Sequence, residues 1–108
     1  MSQHKQERFE EIIRDCAARF ISEESNRTSL ITVTRVETND AGSMATIFFT
    51  VLPDDQEAAA LDFLKRQRSA FREYIKEHAR LMRIPFFDFQ VDLGEKSRRK
   101  IDGLMNGL

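Results

Sequence analysis

From Glu7 the apolar residues fall at Phe9, Ile13, Cys16 and Phe20, with Ile12, Ala17 and Ile21 beside them. Intervals of four, three and four place them on one face of a helix. Residues 1–6 are polar and predict a flexible N-terminal tail, and the polar turn-formers at 22–26 predict the helix's end. Residues 30–36 alternate and are rich in β-branched side chains, which predicts a strand. Strict alternation puts Ile31, Val33 and Arg35 on one side, and Leu30, Thr32, Thr34 and Val36 on the other. After a turn cluster at 38–42 comes a second strand, with Ala45, Ile47, Phe49 and Val51 on one face and Thr46, Phe48 and Thr50 on the other. So short and polar a connection predicts an antiparallel hairpin.

Pro53 ends the second strand, and Asp54 or Asp55 can cap the helix that follows. Residues 57–82 contain neither Gly nor Pro. Leu61, Leu64, Phe71, Ile75, His78 and Met82 keep helical spacing there, with Tyr74 and Leu81 alongside. This predicts helix as far as Met82, with a break into two helices allowed at the polar run 65–69. Arg83-Ile84-Pro85 stops the helix. Phe87, Phe89 and Val91 then alternate with Asp88, Gln90 and Asp92, a third strand. Residues 94–100 read as a polar, basic tail, followed by a short segment at 101–104. The order helix-strand-strand-helix-helix-strand predicts an α+β domain at 7–93, a three-stranded sheet covered on one face by helices, with 94–108 as a C-terminal tail.

At 108 residues the chain suits one compact domain. The net charge of −1 hides an asymmetry: residues 1–60 hold six Lys/Arg against eleven Asp/Glu, and residues 61–108 hold eleven against seven. Such a division suggests a polyanionic partner for the basic part. Cys16 is the single cysteine, so no internal disulfide forms and a reducing cytoplasm fits. No apolar run approaches the roughly 20 residues that cross a bilayer, and the N-terminus lacks a leader's apolar core. A cytoplasmic protein without membrane contact is the expectation.

The basic residues have a pattern. Arg68, Arg72, Lys76 and Arg80 stand four apart, and Lys65, Arg66 and Arg83 extend the zone. On a helix such like charges repel by a few tenths of a kcal/mol per pair. They form either a solvated face, partly neutralised by Glu73 and Glu77, or a surface for phosphates. Lys96, Arg98, Arg99 and Lys100 form a second cluster with the same two readings. His78 shares a side with Phe71, Ile75 and Met82, which predicts a buried or boundary histidine rather than a base. Cys16 reads as a small core residue. One Cys and two His with no ligand spacing predict no metal, and no phosphate-binding loop or paired acid and base predicts a catalytic site, a cofactor or a small-molecule substrate. Asp54, Asp55 and Glu57 read as capping charges. Phe86, beside Pro85, is expected to point outward, as an ordinary exposed aromatic or as a partner or base contact.

Three segments in order resemble the ribosome-binding factor A family. They are Thr32-Val33-Thr34-Arg35-Val36 followed by Asp40, Ala45, Ile47 and Val51; Arg72, Arg80-Leu81 and Arg83-Ile84-Pro85 leading into Phe87-x-Phe89; and Asp92 with Ile101-Asp102-Gly103-Leu104. The resemblance runs from about Arg8 to Leu104. It implies a bacterial, monomeric type II KH-like domain that binds the small ribosomal subunit and its rRNA late in ribosome biogenesis and promotes pre-rRNA processing without catalysis. Lys65, Arg66, Arg68, Arg72, Lys76, Arg80, Arg83, Lys96, Arg98, Arg99 and Lys100 are then the candidate RNA contacts. KH domains clamp a nucleic-acid backbone with a GXXG loop. This family has an Ala-x-Gly kink instead, and the chain reads Gln67-Arg68-Ser69 or Arg68-Ser69-Ala70 there, making Ser69 the expected kink residue. Ser25-Asn26-Arg27 stands where the family has an Asp-Pro pair. The alternative is a small α+β protein-interaction module without RNA binding, and an enzyme is the third choice.

Overall fold

The computed structural model describes residues 2–24 and 29–106, with the backbone alone from residue 100 onward; Ser25-Asn26-Arg27 and the side chains of Lys100 and 101–104 lie outside the described residues. Helix α1 spans Gln3–Glu24 and buries Ile13, Cys16, Ala17, Phe20 and Ile21, the face its periodicity announced. It begins earlier than the polar start suggests. Ser2 accepts from the Lys5 and Gln6 backbone N–H groups, Gln6 donates to the Thr38 carbonyl at 2.9 Å, and Glu10 Oε2 accepts from the Thr38 N–H and hydroxyl, both at 2.8 Å. Residues 3–6 of the expected flexible tail are therefore the first turn of a helix, tied to the sheet by side chains that periodicity does not weigh.

Strands β1 (Leu30–Thr38) and β2 (Met44–Leu52) form the antiparallel hairpin. Asn39 Oδ1 caps the turn by accepting from the Ser43 and Met44 N–H groups, and Gly42 takes φ 69°, where side chains are disfavoured. One register detail departs from simple alternation. Val33 pairs with Phe49 and Arg35 with Phe48, so Thr34 is the extra residue of a β-bulge. The bulge resets the parity: Ile31, Val33 and Val36 all face the core side of β2, opposite Val51, Phe49 and Ile47, while Arg35 turns away. Val36 is buried, not on the outer side with Leu30, and Arg35 leaves the side of Ile31 and Val33.

A 3-10 turn at Asp54–Gln56 leads into α2 (Glu57–Arg66) and then α3 (Arg68–His78). The allowed break is real and sits at Gln67, with φ −91° and ψ 5°. Its N–H is shared between the Phe63 and Leu64 carbonyls. Ser69, the expected kink residue, lies within α3. Helix α3 stops at His78, four residues before Met82, because Ala79 is extended (φ −138°, ψ 149°). The chain uses the irregular connection 79–85, bent at Met82 and Arg83, to return to β3 (Phe86–Val91), which runs parallel to β2 and pairs Ala45 with Phe87 and Ile47 with Phe89. Met82 is consequently fully exposed and His78 is exposed, its ring stacked on Tyr74 at 4.0 Å rather than buried. The sheet order is β1-β2-β3. Its core face meets α1, α2 and α3 around Phe71, with the rings of Phe20, Phe87 and Phe89 centred 4.7–6.2 Å from it.

The C-terminal segment, expected as a polar, basic tail, is a helix as well, α4 (Leu93–Asn106). Asp92 starts it: Oδ1 accepts from the Glu95 N–H at 3.0 Å, an N-cap bond. Its other oxygen accepts from the Thr34 hydroxyl at 2.6 Å and from Arg35 Nε at 3.2 Å. The carboxyl, 5% exposed, thus joins the bulge of β1, the end of β3 and the start of α4. Burial pushes its pKa up, but the bonds from Thr34, the Glu95 N–H and Arg35 outweigh this and hold it below the ordinary value.

Candidate nucleic-acid interface

The break at Gln67 divides the basic zone. Lys65 and Arg66 close α2, and Arg68, Arg72 and Lys76 follow on α3. Arg80 and Arg83 lie beyond the helix, so the single stripe of four becomes a helical row of three and a loop pair.

Their surroundings differ. Arg68 Nε donates to the Lys65 carbonyl at 3.1 Å, its guanidinium lies 3.6 Å from Asp88 Oδ1, and it sits 5.5 Å from the centre of the Phe86 ring. Arg68 thereby spans the break and reaches β3. Arg72 donates to the Pro85 carbonyl at 3.2 Å and holds the chain where β3 begins. These two arginines therefore act in the fold as well as presenting charge. Lys76 pairs with Glu73 at 3.2 Å in the open, a contact worth well under about 1 kcal/mol. Arg83 donates to the Ala41 carbonyl at 2.9 Å and ties its loop to the hairpin turn. Lys65, Arg66 and Arg80 are exposed.

The second basic cluster is placed elsewhere. Lys96 pairs with Glu57 at 3.0 Å, and that bond raises its pKa. Arg99 donates to the Thr50 hydroxyl at 2.7 Å, on the sheet face opposite Phe49 and Val51. Both serve to dock α4. Arg98 projects outward and pairs with Glu95 at 3.4 Å. Arg99 therefore lies on the sheet face away from the α3 row.

Two cations that sequence reading passed over do join the zone. Lys5 and Arg8, on the first turns of α1, line a groove with Arg80 and Arg83. Their three-residue spacing beside Phe9 and Ile12 was the available signal, obscured by the acidic balance of the first sixty residues. Phe86 is 55% exposed, as expected from its neighbours. Among the described residues no group of His, Cys, Asp and Glu could hold a metal ion, and no helix is long and apolar enough to cross a membrane.

Comparison with known proteins agrees with this architecture. The family model described as ribosome-binding factor A matches residues 5–105. The ribosome-binding factor A of Desulfitobacterium hafniense (strain DSM 10664 / DCB-2) is 32% identical over 111 residues, covering 100% of this chain and 89% of that protein. The crystal structure of ribosome-binding factor A from Thermus thermophilus superposes with a TM-score of 0.72 at 21% identity, covering 80% of this chain and 94% of that one. A homology model of the Thermus thermophilus factor, fitted into a cryo-EM map of its complex with the 30S subunit, superposes with a TM-score of 0.69 at 20% identity, covering 79% and 92%. The α+β architecture is thus the KH-like fold of these structures, and the chain belongs to the ribosome-binding factor A family.

Proposed function

We propose that this protein binds the small ribosomal subunit through its rRNA, late in subunit maturation, and promotes pre-rRNA processing in the cytoplasm as a non-catalytic monomer. The observation that carries the reading, beside family membership, is the cationic row Arg68, Arg72 and Lys76 on α3, opening at the helix break where KH domains meet nucleic acid. Lysines and arginines there neutralise phosphates, and the start of α3 adds its own positive end. The fitted 30S complex of the Thermus thermophilus factor supports the choice of subunit. Residues 7–93 act as the RNA-binding unit. Arg98, and Lys100 with it, contribute secondary contacts, whereas Lys96 and Arg99 act chiefly by docking α4.

The test reverses charges that hold no distant part of the fold together: Lys65, Arg66, Lys76 and Arg80, each to Glu. Co-sedimentation with small subunits should be lost while circular dichroism stays unchanged. The wild-type log–log salt dependence should be steep, losing about 0.9 in slope per phosphate contact removed. Undiminished co-sedimentation of the fourfold variant would refute the RNA reading. The protein-interaction reading has one observation in its favour: Met44 and Phe86, paired neighbours on β2 and β3, are 51% and 55% exposed. It requires a binding response flat in salt.

A further inference from the structure

We propose that the groove between the start of α1, the hairpin turn and residues 80–83 holds an unpaired nucleotide of the RNA that α3 contacts. This rests on the RNA reading above and extends it to a place outside the helix break.

The groove has a volume of about 450 Å³. Lys5, Arg8, Arg80 and Arg83 stand around it, and no carboxylate is among its described lining residues. Its floor is apolar, formed by the half-buried Phe9, Ile12 and Leu81, with the fully exposed Met82 at its edge. One wall is already held in place, since Arg83 donates to the Ala41 carbonyl at 2.9 Å. An adjoining depression of about 430 Å³ shares Arg80, Leu81 and Met82 and reaches Lys76 on α3. The cationic row of α3 therefore continues without interruption into the groove.

The chemistry of the lining selects the occupant. A paired RNA backbone offers phosphates for the rim and nothing for an apolar floor. An unpaired nucleotide offers both, a flat base with an apolar face and flanking phosphates. Helix α3 ends at His78, so Leu81 and Met82 leave the helical face, Leu81 half-buried in the lining and Met82 exposed at its edge. The continuity with Lys76 favours the same RNA strand over a separate acidic protein segment, which shares the rim's charge preference but has no reason to meet α3.

The experiment compares binding of a short single-stranded oligoribonucleotide carrying one thiouridine with binding of a fully paired RNA duplex. Three variants are used: Lys5→Glu with Arg8→Glu, Met82→Asp, and Lys76→Glu on α3. All these side chains are exposed. The first should lower single-strand affinity roughly tenfold and its salt slope by about 1.4, two phosphates at about 0.7 each. Met82→Asp should lower it by about tenfold with the slope unchanged. Duplex affinity should respond only to the α3 variant, and photocrosslinks should map to residues 80–83. If both groove variants bind the single strand like wild type while the α3 variant is weakened, the groove proposal falls and the RNA reading stands. If wild type retains neither RNA, the RNA reading falls and takes the groove with it. Crosslinks confined to α3, or groove variants that lose binding to an added acidic, leucine-containing peptide while keeping that to the single-stranded RNA, would also overturn the nucleotide assignment.

Discussion

Replacing Asp92 by Asn tests whether one buried carboxylate joins three elements. Asp92 accepts three hydrogen bonds, from the Glu95 N–H, the Thr34 hydroxyl and Arg35 Nε. An N-cap bond is worth about 1 kcal/mol. The hydroxyl bond to an ionised carboxylate adds about 1.5–3 kcal/mol. Arg35 is half-exposed, so solvent screening holds its share below about 1 kcal/mol. Asparagine keeps one acceptor oxygen, which can serve the Glu95 N–H; its amide then faces Thr34, which can accept, and Arg35, which cannot. The Thr34 bond weakens to an ordinary neutral one and the Arg35 contact is lost, so the net loss in Asp92→Asn is about 1–2.5 kcal/mol, a melting-temperature drop of about 5–20 °C for a domain of this size. Thermal and urea unfolding followed by circular dichroism measure it. Acid supplies the second arm. The folded pKa of Asp92 lies below its ordinary value of 3.8, so its stabilisation is complete above that value and disappears as pH falls through the folded one. Asn does not titrate, so the gap between variant and wild type should be full at neutral pH and narrow below about pH 4. A variant as stable as wild type at neutral pH, or a gap that stays constant into acid, would refute the assignment.

Deleting Thr34 should leave the hairpin intact, because removing the bulged residue keeps Val33 opposite Phe49 and Val36 opposite Ile47. The cost should be the bond to Asp92, about 1.5–3 kcal/mol, and loss of β1–β2 amide protection in hydrogen exchange would contradict this. Phe71→Ala should destabilise by about 3–5 kcal/mol, since Phe71 is fully buried and touches the rings of Phe20, Phe87 and Phe89; a loss below about 1 kcal/mol in urea unfolding would show that the aromatic cluster is not the centre of the core.

The basic zone shows how far residue spacing carries a site. Arg68, Arg72 and Lys76 were legible as a row because one helix presents them, and i, i+4 spacing is a property of that helix alone. Arg80 fitted the same arithmetic but lies past the helix end, and Lys96 and Arg99 fitted a basic tail but dock α4. Lys5 and Arg8 were invisible as partners of Arg80 and Arg83, some seventy-five residues away in the chain.

Read by itself, the chain determined the kinds and order of its main elements, the inward faces of α1, β2 and β3, the hairpin and the break before α3. Each depends on neighbours within a few residues, where helical and strand periods are set. Tertiary structure decided the bulge that turns Val36 inward, the end of α3 at His78, the helical state of α4, and which cations remain available to a ligand. These depend on what the chain meets across the fold: Thr34 and Arg35 find Asp92 nearly sixty residues later, and Arg99 finds Thr50. No local period encodes such meetings, because they exist only once the sheet has brought its strands side by side.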